Sequence, residues 1–459
     1  MGRYKQYIPD LKIYGIILFI LVGFAFWIKI IHIGSDWQQA GLTTFSLGFL
    51  LLAAYMTAQI LRIAGLPLIS GYIFVGILAG PYMTGFLTHD LVVRLRLLDD
   101  LALSFIALTA GGTLQLQFLR KRGKAILINI FLQTLFAFAL VFLSFFFMSN
   151  RLNLMPDLTE PQIMVLACLL GVIAVARSPS SAIAIINECR AAGVFTTTVL
   201  GVTVAIDVLI IVFFTLAMTM SEIILGACTG VDFRMVTVLT LAVAGSLALG
   251  VLLGKGISLY VERVGHDLSL FLLLFAFSVF KASIWFNHFM ETHFAVSLHL
   301  EPLLICISAG FTVQNFSNCG HIFMEGLGRF ELPIFVLFFS LAGASLNLDA
   351  LCMMWPLAAF LFIIRTIGIF GSTWFAAILN RDPPQHRRIA WMAYITQAGV
   401  AIGLAQLAQR RFPELGDYLT MLVLAVITIN QVVGPITFKI ALKTAGEVDK
   451  SNPINSNLF

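Results

Sequence analysis

Ala110-Gly111-Gly112-Thr113-Leu114-Gln115-Leu116 returns further along the chain as Ala342-Gly343-Ala344-Ser345-Leu346-Asn347-Leu348. Four of the seven positions are identical, and the others exchange Gly for Ala, Thr for Ser and Gln for Asn. Shortly before each copy stands a second matched pair, Gly76-Ile77-Leu78-Ala79-Gly80 and Cys306-Ile307-Ser308-Ala309-Gly310. All four stretches lie in apolar segments, and a helix crossing the bilayer core needs about 20 such residues. With that ruler the chain gives fourteen candidate spans: 12–34, 41–63, 67–88, 97–119, 123–148, 160–188, 195–221, 233–260, 268–288, 296–315, 329–348, 351–380, 388–409 and 417–442. The matched stretches occupy spans three and four, then ten and eleven. An offset of seven is odd, so the two copies cross the membrane in opposite directions. Inverted repeats of this kind set a transport site near the midplane between the halves. The expected organisation is an extra first span (1–40), a first repeat (41–222), a linker helix (223–267), a second repeat (268–442) and a polar tail (443–459).

Composition agrees with a membrane protein. Of 459 residues, 59% are hydrophobic and only 11% charged, with a mean hydropathy of +0.97. Soluble domains run near one-quarter charged. A soluble enzyme, a nucleic-acid binder, a disulfide scaffold and a disordered chain are therefore excluded, and the partner implied is the lipid bilayer. The six cysteines are scattered, without C-x-x-C, and the eight histidines form no H-E-x-x-H. No metal cofactor is expected from such spacing. With the N-terminus inside, cytoplasmic segments carry 18 Lys and Arg against 7 outside. That positive-inside bias puts both termini in the cytoplasm, and the membrane expected is the cell's inner (plasma) membrane.

Three cations, Arg177, Lys281 and Arg365, fall inside spans. Ionisable groups at that depth are costly and are functional candidates by default. Asp207, in Thr203-Val204-Ala205-Ile206-Asp207, is central in span seven, too short to snorkel to water. It is the candidate ligand of a transported cation or proton. Thr203 lies one turn earlier on the same face and offers a hydroxyl oxygen. Arg365 is central in span twelve, keeps its proton, and needs a counter-ion; Asp207 is the best-placed acid. Such a pair suits exchange, because a cation and a proton exclude one another on one carboxylate.

Span six is broken by Arg177-Ser178-Pro179-Ser180-Ser181. Proline removes a backbone donor and clashes with the preceding turn, while Ser178, Ser180 and Ser181 invite water or an ion. Span thirteen has a similar interruption at Thr396-Gln397. Non-helical backbone at this depth must be buried in protein or line a cavity. Arg177 has three candidate partners: Glu188, Glu301 or a half-helix carbonyl end. Gly250-x-x-x-Gly254 and Gly399-x-x-x-Gly403 read as packing contacts.

In order and spacing these residues resemble the monovalent cation:proton antiporter superfamily, and within it the bacterial second branch that includes glutathione-gated potassium efflux proteins. The resemblance covers about 41–442. It rests on Gly71-Tyr72-Ile73-Phe74-Val75-Gly76-Ile77-Leu78-Ala79-Gly80-Pro81, Ala110–Leu116, Phe335–Leu348, the serine-rich break at 178–181, Asp207, and Gln397-x-Gly399. It implies an all-α membrane protein of about 14 transmembrane helices, with an inverted-repeat antiporter fold and two crossed broken helices. It further implies a homodimer exchanging sodium or potassium for protons by alternating access. Asp207 matches the family's ion-binding aspartate, and Arg365 the basic residue paired with it. The chain departs from the pattern at Ile206, where Asp, Asn or Gln is common, and at Thr113, where Glu is common. With one central acid rather than two, one proton per cation and electroneutral exchange are expected. The alternatives are a sodium-coupled symporter of an organic solute, and a membrane subunit in which Asp207 and Arg365 form only a structural pair.

Overall fold

The computed structural model describes residues 14, 15, 18, 37–63, 65–152, 158–225, 233–294, 300–346, 348–397 and 399–448. Most of the expected first span (12–34) and the end of the tail lie outside the described residues. Among the described residues the secondary structure is helical, without strands. We number the helices α1 (Trp37–Ile63), α2 (Leu68–Ala79), α3 (His89–Arg94), α4 (Arg96–Thr113), α5 (Leu116–Leu152), α6 (Glu160–Ile173), α7 (Pro179–Cys189) and α8 (Val194–Ile224). They continue as α9 (Phe233–Arg263), α10 (Leu268–Phe294), α11 (Pro302–Phe316), α12 (Gly320–Ala344), α13 (Leu348–Leu379), α14 (Pro384–Ile389), α15 (Gly399–Arg411) and α16 (Pro413–Ala445).

Seven of these are long and apolar enough to cross a bilayer over at least 18 residues: segments of α1, α5, α9, α10, α12, α13 and α16. Shorter apolar helices of 10–17 residues stand beside them: α2, α6, the first part of α8, α11 and most of α15. In α5, Leu127, Phe131, Leu135, Leu143 and Phe147 are exposed, while Gln133, Ala137, Val141 and Phe145 are buried. The exposed set recurs mostly at intervals of four residues, a single apolar stripe that water would penalise and lipid accepts. The chain is a multi-pass membrane protein.

The boundary between spans four and five falls earlier than composition alone places it. α4 stops at Thr113 and α5 begins at Leu116, so the basic run Arg120-Lys121-Arg122 lies within the first turns of α5 rather than in a loop. Asn315 holds the break: its Oδ1 accepts the Leu116 N–H at 2.6 Å, and its Nδ2 donates to the Leu114 carbonyl at 2.8 Å.

The chain forms two compact units: Met1–Ala102 with Phe330–Leu346 and Asp449–Phe459, and Leu103–Arg329 with Asn347–Val448. In the first, α2 lies against α1 and the end of α12. A Cβ on Gly71 would stand 2.5 Å from the Ala58 Cα, and one on Gly76 would stand 2.1 Å from the Ser340 carbonyl oxygen. Reciprocally, a Cβ on Gly343 would stand 2.3 Å from the Ile73 oxygen.

The second unit repeats that contact between α11 and the end of α4. Gly310 faces the Leu108 carbonyl and Gly111 faces the Ile307 carbonyl, where added Cβ atoms would stand at 2.1 and 2.0 Å. Small details recur as well. Thr113 Oγ1 donates to the Ala110 carbonyl at 2.8 Å, and Ser345 Oγ to the Ala342 carbonyl at 2.9 Å. These contacts match Gly76 with Gly310 and Ile73 with Ile307, one helical turn away from the alignment of Gly80 with Gly310. Gly250 and Gly254 of α9 pack on Ser308 and Ala309 of α11, whereas Gly403 has open space beside it.

The rest of the second unit is a bundle in which α13 runs along α5 and α16. Its buried face carries Ala358, Leu361, Arg365, Ile369, Ser372 and Ala376, close to the 3.6-residue period, with Ile363, Ile367 and Trp374 exposed. Gly368 lets the α5 backbone approach: a Cβ there would meet the Phe136 oxygen at 3.2 Å. That close packing brings Arg365 into the centre of the unit.

Candidate functional site

The first interruption separates α6 from α7. α6 starts on Thr159, whose N–H donates to the Gln162 side chain at 2.8 Å, with Pro161 in the first turn. It ends at Ile173 in tighter turns, with the Val175 N–H on the Val172 carbonyl and the Ala176 N–H on the Ile173 carbonyl, both at 3.0 Å, and Pro179 bars a continuous helix through the stretch. α7 then restarts with Ser178 as its N-cap and Pro179 at its first position, where proline is tolerated. The serines close on one another: Ser178 Oγ lies 2.9 Å from Ser181 Oγ and 3.1 Å from Ser180 Oγ, and it accepts the Ser181 N–H at 3.3 Å. All three are buried.

The second interruption follows α14 and a single 3-10 turn, Ala390–Tyr394, with non-helical backbone from Ile395 to Gln397 before α15. Thr396 is buried against Gly434 of α16. Gln397 joins the two breaks, since its Nε2 donates to the Ile173 carbonyl at 2.8 Å.

Helix C-termini leave carbonyls without intrahelical donors, and both breaks present theirs to buried arginines. Arg365 Nε donates to Ala174 O at 2.8 Å and Nη2 to Ala176 O at 3.1 Å, at the end of α6. Its Nη1 donates to Ile395 O at 2.9 Å, at the second break, and to Asn430 Oδ1 of α16 at 3.2 Å. One guanidinium thus caps both interrupted helices. Arg177 donates to the same Ala174 and Ala176 carbonyls, at 3.1 and 3.0 Å, and to Gln133 Oε1 at 3.3 Å. Both arginines are 1% exposed. Of the three partners open to Arg177, the half-helix carbonyl end is the one seen here. Glu188 faces Lys439 instead, at 2.8 Å, and Glu301 is the N-cap of α11.

Asp207 is the fourteenth residue of the 31-residue α8; its side chain lies outside the described residues. α8 packs against α6 and α7, and also against the 3-10 turn and α15. The helix that carries Asp207 therefore touches all four segments of the two broken helices. Thr203, one turn earlier, is buried and spends its hydroxyl proton on the Val199 carbonyl at 2.8 Å. That leaves the oxygen's lone pairs as acceptors. A small cavity of about 20 Å³, room for about one water, adjoins Arg365 and Gln397, lined also by Leu170, Ile173, Ala174 and Leu361.

Charge marks Arg365 and Arg177, proline the first break, and the polar run Thr396-Gln397 the second. They did not find Gln133 and Asn430, uncharged amides in spans five and fourteen. The signal was there: a carboxamide in mid-span must find partners in protein, because lipid offers none.

The family profile described as "Sodium/hydrogen exchanger, transmembrane" matches residues 47–444. No curated protein matches. Among solved structures, that of the sodium proton antiporter MjNhaP1 from Methanocaldococcus jannaschii at pH 8 is similar at a TM-score of 0.61. It shares 15% identity, with 91% of this chain and 99% of that one covered. An electron-microscopy structure of MjNhaP1 aligns at a TM-score of 0.66 and 14% identity, covering 93% and 99%. These likenesses identify the fold as the antiporter fold with inverted repeats.

Proposed function

We propose, from the premise that this chain belongs to the sodium/hydrogen exchanger family, that Asp207 is the carboxylate on which its cation and proton compete. The chain is a secondary antiporter of cation and proton, not an enzyme, and nothing favours the symporter alternative. The observation that carries the site assignment is the packing of α8 on all four segments of the broken helices. That packing supports a place for Asp207, at mid-helix, beside the two interruptions.

The mechanism follows from the charges. Two guanidinium groups share the Ala174 and Ala176 carbonyls, so positive charge is concentrated at the ends of α6 and the second break. Half-helix carbonyl ends offset part of it. An ionised Asp207 completes the balance when no ion is bound, with Arg365 as its charge partner. A sodium ion, or potassium in its place, then displaces Arg365 and binds Asp207 with oxygens from Thr203 and the serines Ser178, Ser180 and Ser181. A proton on Asp207 expels the cation. The interruptions at Arg177–Pro179 and Thr396–Gln397 supply the polar surroundings. One carboxylate carries one positive charge in either direction, so the exchange is electroneutral, by alternating access. We assign the repeats to 41–222 and 268–442 around the linker 223–267. We place the protein in the inner (plasma) membrane as a homodimer, both termini cytoplasmic.

The test is cation-dependent proton flux in proteoliposomes, with sodium, potassium and lithium in turn and the membrane potential either clamped or free. Flux driven by a sodium gradient and indifferent to the clamp supports the reading. Flux that follows the potential defeats the one-for-one stoichiometry.

A further inference from the structure

The segment after α16 holds a carboxylate that this exchange chemistry does not use. Gly446 turns the chain in the left-handed region (φ 74°), and Glu447 follows. Its side chain lies on the N-terminus of α8. Oε1 accepts the Phe195 N–H at 2.8 Å, while Oε2 accepts the Thr196 N–H at 2.7 Å and the Thr196 hydroxyl at 2.8 Å. The Glu447 backbone carbonyl takes the Ala192 N–H at 3.0 Å.

The first N–H groups of a helix lack intrahelical acceptors, and the N-cap side chain ordinarily supplies one. The N-cap of α8 is Gly193, which has no side chain to do so. Its smallness is what admits the substitute, because a Cβ at Gly193 would stand 2.1 Å from the Glu447 Cδ. A negative carboxylate also suits the positive end of the helix dipole. The cap of α8 therefore comes from the far end of α16. That same helix carries Asn430, which holds Arg365 and Gln397.

We propose that Glu447 is a positioning residue for the exchange, setting the axial register of α8 and with it the depth of Asp207 relative to Arg365. The proposal rests on the reading of Asp207 as the ion-binding carboxylate. Asp207 lies thirteen residues into α8, about 20 Å along the axis, so Glu447 acts through the helix and not on the ion. A bound cation needs several oxygens at fixed distances, whereas a proton needs one. Loss of register therefore weakens cation binding more than protonation.

The experiment uses the full chain in proteoliposomes and reads the sodium KM and maximal rate of proton flux per folded transporter. Glu447→Gln keeps the size but turns an amide NH2 toward N–H donors, and Gly193→Ala displaces an intact Glu447. Each is expected to raise the sodium KM about three- to tenfold, the scale of a lost cap, with the maximal rate within about twofold and the double variant no worse than either. Glu447→Asp, which keeps the charge on a shorter arm, recovers part of the affinity. An unchanged KM in both variants, with or without a fall in rate, overturns the proposal. Asp207→Asn run alongside separates the two readings. If it is inactive while the KM stays unchanged in the others, only the latch fails; if it still exchanges, the assignment of Asp207 fails and takes the latch with it.

Discussion

Asn430 donates its amide N–H to the Gln397 side-chain oxygen at 2.9 Å, and its own oxygen accepts from Arg365 at 3.2 Å. The direction of these bonds is forced. Gln397 spends its NH2 on the Ile173 carbonyl, so its oxygen is left to accept. An arginine only donates, so Asn430 must turn its oxygen to Arg365 and its nitrogen to Gln397. A directed chain thus runs from Arg365 through α16 to the second break, and from there to the end of α6.

Replacing Asn430 by Leu leaves a buried arginine N–H and a buried amide oxygen short of a partner. Each such loss costs about 1–3 kcal/mol, more at a charged group. The variant is expected to melt earlier in detergent and to lose exchange. Asn430→Gln retains both atom types at a different reach and should fall between. A melting temperature equal to that of the parent would show that the chain of bonds contributes nothing.

The paired glycines make a sharper contrast. At Gly111 and Gly310 an added Cβ meets backbone carbonyls at 2.0 and 2.1 Å, and backbone cannot turn away as a side chain can. Gly111→Ala and Gly310→Ala are expected to destabilise by about 1–3 kcal/mol, the usual cost of overpacking. Gly123, within α5 and with nothing near it, should behave oppositely: Gly123→Ala gains about 0.5–1 kcal/mol from helix propensity. Thermal melts of the three variants check both signs.

Much of this was legible in the sequence, and the remainder was hidden for physical reasons. Pro179 and the serines marked the first break because proline cannot be accommodated in mid-helix. Arg365 stood out because charge in lipid is rare. Its neighbours did not, because carbonyl oxygens belong to every residue and carry no signature in the sequence; a carboxylate was the visible partner, and the Ala174, Ala176 and Ile395 carbonyls were not. The sequence pairing of Gly80 with Gly310 is one turn out of register, because small residues four apart share a helix face. Only the contacts of Gly76 and Gly310 distinguish the two registers. Lys439, one of the 18 cations counted on the cytoplasmic side, is buried against Glu188, which a tally of charges does not reveal.

That ion pair is 2.8 Å long, with side chains only 5% and 8% exposed, and it joins α16 to α7. Removing Lys439 alone, as Lys439→Met, takes the ammonium from a buried carboxylate and is expected to cost about 3–5 kcal/mol. Replacing both, as Glu188→Leu with Lys439→Met, relieves the desolvation on each side and should restore most of the loss. A double-mutant cycle on melting temperature measures it. Two single losses that simply add would show that the pair is not coupled.

The most direct test of the whole account is Asp207→Asn, reconstituted and assayed for sodium-driven proton flux beside the parent chain. Asparagine keeps the shape and can neither lose nor gain the proton, so a folded protein with no exchange at any pH is expected. Sustained proton flux from that variant would contradict it.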